Sequence, residues 1–96
     1  MAYSGTYRTK SGRNTFSFYY EKQSNGEVRA YITSQPSYRG RATGSHSTHR
    51  YGVGSRPYVC FGNSPPRDLQ SAIKYSKSWA ELTERYIETG KDHNAS

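Results

Sequence analysis

Between residues 38 and 58 the chain interleaves base and ring: Tyr38, Arg39, Arg41, His46, His49, Arg50, Tyr51, Arg56 and Tyr58 fall in one stretch without an acid. An arginine guanidinium is a planar fork of N–H donors that fits phosphate oxygens two at a time. A tyrosine ring offers a face on which a nucleobase stacks, worth about 1 to 3 kcal/mol per base. Gly40, Gly44, Gly52 and Gly54 lie in the same stretch and let the backbone approach a ligand closely. These are the parts of a site for a phosphate-bearing ligand, a nucleic acid or a nucleotide. Arg39, Arg41, Arg50 and Arg56 would hold phosphates, with Tyr38 and Tyr51 as stacking surfaces. Upstream, Tyr19 and Tyr31 with Arg29 offer a second platform, of the kind on which a sheet stacks RNA bases.

His46 and His49 are the other residues with chemistry to offer. Combined with Cys60 or His93 they lack the paired ligand spacing of zinc sites, so no metal is expected. His46-Ser47-Thr48 resembles the H-x-[ST] motif that two-histidine phosphodiesterases carry twice. Here it occurs once, and acid–base work on a phosphodiester needs two positioned groups. No nucleophile elbow is present. The expectation is binding without catalysis or cofactor, and a histidine-dependent phosphodiesterase is the alternative of another class.

The elements that must position these residues follow from periodicity. Thr15–Tyr20 and Val28–Thr33 alternate with period two around Ser24-Asn25-Gly26, the pattern of a β-hairpin. A two-residue Asn-Gly turn would set Phe18 opposite Thr33 and split the apolar residues between both faces. A three-residue loop with Gly26 in a bulge instead pairs Phe18 with Ile32, Tyr20 with Ala30 and Lys22 with Val28 on one face. The other face then pairs Glu21 with Arg29 and Tyr19 with Tyr31. Ala2 to Thr9 reads as a further strand turning back at Lys10–Arg13, and Pro57–Phe61 as a short buried strand. The intervening residues 36–57 read as one long loop. Asn63 or Ser64 is placed to cap a helix whose first turn is Pro65-Pro66 and whose stop is Gly90, with 91–96 a fraying tail. Leu69, Ala72, Ile73, Ser76, Ala80, Thr83 and Ile87 form its apolar stripe, with Trp79, Leu82 and Tyr86 beside it. The expected fold is a single α+β domain over 1–96: a three- to four-stranded antiparallel sheet carrying one long C-terminal helix.

Composition narrows the classes. Leu, Ile, Val and Phe number only eleven of 96 residues, but ten Tyr, three Phe and one Trp supply fourteen rings. Each ring can bury ~150 to 250 Å², enough for a compact fold that a second copy would help to stabilise. The breadth of the helix stripe also predicts a homo-oligomer. No apolar run approaches the ~18 residues of a membrane span, Met1–Gly5 lacks the regions of a signal peptide, and Cys60 is alone, so a cytoplasmic protein is expected. Charge is lopsided. Residues 1–67 carry ten basic side chains, eight of them arginine, against two acids, whereas 68–96 carry four against five. That excess predicts an anionic partner.

Pro57–Phe61, Trp79–Thr83 and Tyr86–Gly90 together resemble small phage and prophage proteins over about a third of the chain. That resemblance implies a role in host takeover or anti-defence. The order of strands then helix is also similar to the sheet-plus-helix DNA readers of the AP2 and integrase arm-binding type, from which the Gly-rich insertion departs. The expectation is a non-enzymatic binder of nucleic acid or of a nucleotide, the latter by sequestration in deep, dry pockets. An inhibitor docking its basic loop on a host protein is the alternative.

Overall fold

A computed structural model describes residues 2–93. The elements run β1 (Ala2–Arg8), β2 (Thr15–Lys22), β3 (Val28–Ser34), α1 (Ser45–Thr48), β4 (Arg50–Tyr51), β5 (Tyr58–Val59) and α2 (Leu69–Thr89). The five strands form one antiparallel sheet in the order β1-β2-β3-β5-β4, with α2 packed on one face, an α+β arrangement.

The β2–β3 hairpin takes the register that keeps one face apolar: Phe18 opposite Ile32, Tyr20 opposite Ala30, Lys22 opposite Val28. Its loop is Ser24-Asn25-Gly26, closed by Gln23 N–H to the Glu27 carbonyl at 2.7 Å and Gly26 N–H to the Gln23 carbonyl at 3.0 Å. Gly26 has φ +90, where a side chain would be strained, and a β-carbon there would also fall 2.3 Å from Arg67 Nη2. The apolar face carries Phe16, Phe18, Tyr20, Val28, Ala30 and Ile32 against Ala72, Trp79 and Ala80. Trp79 meets Phe16 and Phe18 edge-on at centroid distances of 5.7 and 6.0 Å. Such pairs contribute about 0.5 to 1.5 kcal/mol beyond their buried area.

Two expectations are corrected. Helix α2 starts at Leu69 with Asp68 as its cap, accepting from Ser71 N–H at 2.9 Å, and not at Pro65-Pro66 after Asn63 or Ser64. Pro66 is buried and its carbonyl takes the Val28 N–H at 2.8 Å, so the di-proline serves the sheet before the helix begins. Residues 36–57 are not one loop but contain α1 and β4, which raises the strand count to five. They also cover the second flank of α2: Tyr38 packs with Tyr86 and Ile87, and the Thr48 carbonyl accepts from Trp79 Nε1 at 2.9 Å. The breadth of the helix stripe is thus met largely from within the chain, although Tyr75 stays 45% exposed. The expected tail 91–96 makes contacts in its described part. Arg85 Nη2 bonds the Asp92 carbonyl at 3.0 Å and His93 stacks on His49 at 4.9 Å, while 94–96 lie outside the described residues.

Candidate nucleic-acid interface

Period-two alternation sends every second side chain to the face away from α2. On that face the register aligns Ser4, Tyr19, Tyr31, Tyr58 and Tyr51 in one row across all five strands. Neighbouring ring centroids lie 6.4 Å (Tyr19–Tyr31), 5.9 Å (Tyr31–Tyr58) and 5.8 Å (Tyr58–Tyr51) apart. Two guanidinium groups cap the centre of the row. Arg29 lies 4.0 Å above the Tyr58 ring and 5.8 Å from Tyr31, and Arg56 lies 3.8 Å above Tyr31. Tyr31 is only 8% exposed beneath this cover, whereas Tyr51, on the two-residue edge strand, is 48% exposed. Alternation places Arg8 of β1 on the same face.

The β4–β5 turn assembles this end of the row. Gly52 has φ +72, and a β-carbon there would fall 2.5 Å from the Arg56 carbonyl and 3.2 Å from the Tyr58 ring. A glycine therefore lets the turn fold back tightly enough to lay Arg56 over the sheet. Ser55 N–H closes it on the Gly52 carbonyl at 3.1 Å, and Ile32 N–H bonds the Pro57 carbonyl at 2.8 Å. The Cys60 thiol donates to the Tyr51 hydroxyl at 3.3 Å.

Three of the acids are held away from these arginines, whereas Glu21 lies opposite Arg29 on the open face and Glu27 lines the depression beside it. Glu81, Glu84 and Glu88 of α2 grip the β1–β2 turn. Glu81 accepts from the Tyr7 hydroxyl and from Lys10 N–H, the latter at 2.9 Å. Glu84 accepts from Thr9 Oγ1 and Asn14 Nδ2, each at 2.6 Å, and Glu88 pairs with Arg13 at 2.7 Å. Burial alone would raise the Glu84 pKa, but the bonds from Thr9, Asn14 and Ser11, with the Arg13 charge, bring it below the usual carboxylate value. The bond to Glu81, with burial second, pushes the Tyr7 hydroxyl up to about 12.

Of the residues singled out by the sequence, the structure brings Arg29, Tyr31, Tyr51 and Arg56 together, with Tyr19 and Tyr58 in the same row. Tyr38, Arg41, Arg50 and His49 instead serve the chain itself. Tyr38 is buried beneath the Arg50 guanidinium at 4.7 Å, and Arg50 Nη1 donates to Gln35 Oε1 at 3.2 Å. Arg41 Nε donates to the Ile87 carbonyl at 3.3 Å, at the carboxyl end of α2 where a cation is favoured. His49 stacks on His93, and its carbonyl accepts from Cys60 N–H at 2.8 Å. Arg39 and His46 are exposed, Arg39 in a turn at φ +53. No group of three or more His, Cys, Asp or Glu is placed to hold a metal among the described residues. No helix there is long and apolar enough to cross a membrane.

Comparisons with protein-family models, curated proteins and solved structures find no match to this chain. What the open face can bind follows from its own residues.

A guanidinium on an exposed ring is held by about 0.5 to 1 kcal/mol. A base on the same ring gains about 1 to 3 kcal/mol, so exchange favours the base and frees the arginine for phosphate. Alternatively the guanidinium stays and the base stacks on its outer plane, which Arg also supports. Depressions of about 210 and 350 Å³ flank the row, one beside Arg29, Tyr51 and Tyr58, the other beside Tyr19, Tyr31 and Arg56.

Proposed function

We propose that the protein is a non-enzymatic binder of single-stranded nucleic acid, with the strand laid across the open sheet face. The observation that carries this reading is the row of four tyrosines capped by two arginines. A sheet that needed only stability would gain about 0.2 to 1 kcal/mol from each cross-strand pair, and little from a half-exposed Tyr51 at its edge. Tyr19, Tyr51 and Tyr58 supply ring faces for stacking. Arg56 and Arg8 supply phosphate contacts along the same face, with Arg29 over Tyr58. Bases must be unstacked from a duplex to reach such rings, which favours single strands. Sequestration of a free nucleotide fits less well, because such a site buries ~70 to 90% of its ligand and both flanking depressions open to solvent.

Binding of labelled mixed-sequence oligonucleotides, single- and double-stranded, at about 50 and 200 mM salt tests the proposal, since counterion release makes affinity fall steeply over that range. The expected result is salt-dependent binding that prefers the single strand and weakens in Tyr51→Ala. Absence of binding at the lower salt overturns it.

A further inference from the structure

We propose that the depression at the Arg29 end of the row is a base pocket selective for guanine. It deepens the strand-binding reading and rests on it for the strand, though not for the base. About 210 Å³ in volume, it has room for one base, and Tyr51 and Tyr58 form part of its wall. Glu27 and Arg29 also line it. Among the described residues Glu27 is the one carboxylate of this lining, and no hydrogen bond or ion pair there engages it. Its backbone is fixed by the hairpin loop, with N–H to Asn25 Oδ1 at 3.0 Å and carbonyl to Gln23 N–H at 2.7 Å. Arg29 is fixed by Tyr58 below its plane and by a 3.4 Å bond from Nη1 to the Tyr31 hydroxyl, which leaves other N–H groups of its fork for a ligand.

Guanine is the base that matches a carboxylate and a guanidinium in one pocket. In a single strand its N1–H and N2–H₂ form adjacent donors that a carboxylate accepts side by side, while O6 and N7 accept from Arg. Cytosine offers the carboxylate one donor group beside an acceptor. Adenine pairs its one donor group with the N1 acceptor, and uracil or thymine sets its single N–H between two carbonyls. Each of these leaves an acceptor facing the carboxylate, an unmade bond that is costly once the pocket is closed by the base. The Glu27 charge also keeps phosphates out of the pocket and so orients the base inward.

The test uses oligomers of about eight nucleotides, within the site sizes of single-strand grooves, that are all thymine except for one central G, A, C or T. Free GMP and UMP are measured in parallel. The guanine strand is expected to bind ~10-fold or more tightly than the others, the scale of one bidentate base contact. In Glu27→Gln that preference disappears while affinity for the all-thymine strand is retained. Equal affinity for all four strands overturns the guanine pocket and leaves strand binding standing. Preference for GMP over UMP without strand binding sustains the pocket and overturns the strand. Binding of neither strands nor GMP overturns both.

Discussion

The two faces of the sheet use the same aromatic material in opposite ways. On the face beneath α2, Phe16 and Phe18 meet Trp79 ring against ring, Tyr20 meets Phe18, and the one hydroxyl among them is bonded to Ser76 Oγ at 2.5 Å. On the open face, Tyr31 and Tyr58 meet guanidinium groups at 3.8 and 4.0 Å, and Tyr51 meets solvent. A ring edge in a packed core has no competitor, so that face is permanent. A guanidinium over an exposed ring exchanges for about 1 kcal/mol or less, so that face is available. Whether a tyrosine is locked in the core or left open to exchange here depends on what lies over its ring, and its residue type does not tell.

The largest expected effect lies on the covered face. Trp79→Ala removes the ring that meets Phe16 and Phe18 and its bond to Thr48, and should cost about 3 to 5 kcal/mol in urea unfolding, with oligonucleotide affinity of the folded protein little changed. On the open face the pattern should invert. Tyr51→Ala is expected to lower single-strand affinity by about 1 to 3 kcal/mol, read by fluorescence anisotropy, and to leave the melting temperature nearly unchanged. Equal thermal losses in the two variants would break the distinction between the faces.

Acidification should act on the covered side and at the chain end that braces it. Burial, with His49 and Arg85 nearby, holds His93 down to about 4 against the opposing Asp92. A group with a depressed pKa contributes stability that is full above its unfolded value and is lost as pH falls toward the folded one. Melting temperature should therefore begin to fall below about pH 6.5, the unperturbed histidine value, and His93→Gln should flatten that first part of the decline. Glu84, also depressed, adds a second loss below the ordinary glutamate range, and Glu84→Gln should remove it.

The smallest effects separate arginines by what they face. Arg56→Ala and Arg8→Ala should each reduce the slope of log affinity against log salt by about 1. Arg41→Ala should leave that slope alone and lower stability by about 0.3 to 1 kcal/mol, as expected for a cation at a helix carboxyl end. A slope change in Arg41→Ala equal to that in Arg56→Ala would show that the basic charge acts as a diffuse cloud.

Much of this was legible before any coordinates. Alternation through Thr15–Tyr20 and Val28–Thr33 determined the hairpin register from Phe18 opposite Ile32 to the loop, the two faces and the Tyr19–Tyr31 pair, because a one-residue slip would turn every apolar side chain outward. Period 3.6 with Gly90 determined the helix and its end. Tertiary structure alone decided which of the loop arginines and tyrosines belong to the open face. Strands β4 and β5 are two residues long and too short to show a period, and Tyr58 joins the row only by pairing with Tyr31 across the intervening wrap. Arg41 and Arg50 look like Arg56 in the sequence, yet the first two turn toward the end of α2 and Tyr38 while Gly52 bends Arg56 back over the sheet. The helix start moved for the same reason, since Val28 took the Pro66 carbonyl from 38 positions away. Local pattern determines an element and its faces, but which partner satisfies a loop's polar groups is set by contacts distant in sequence, and those exist only once the chain has folded.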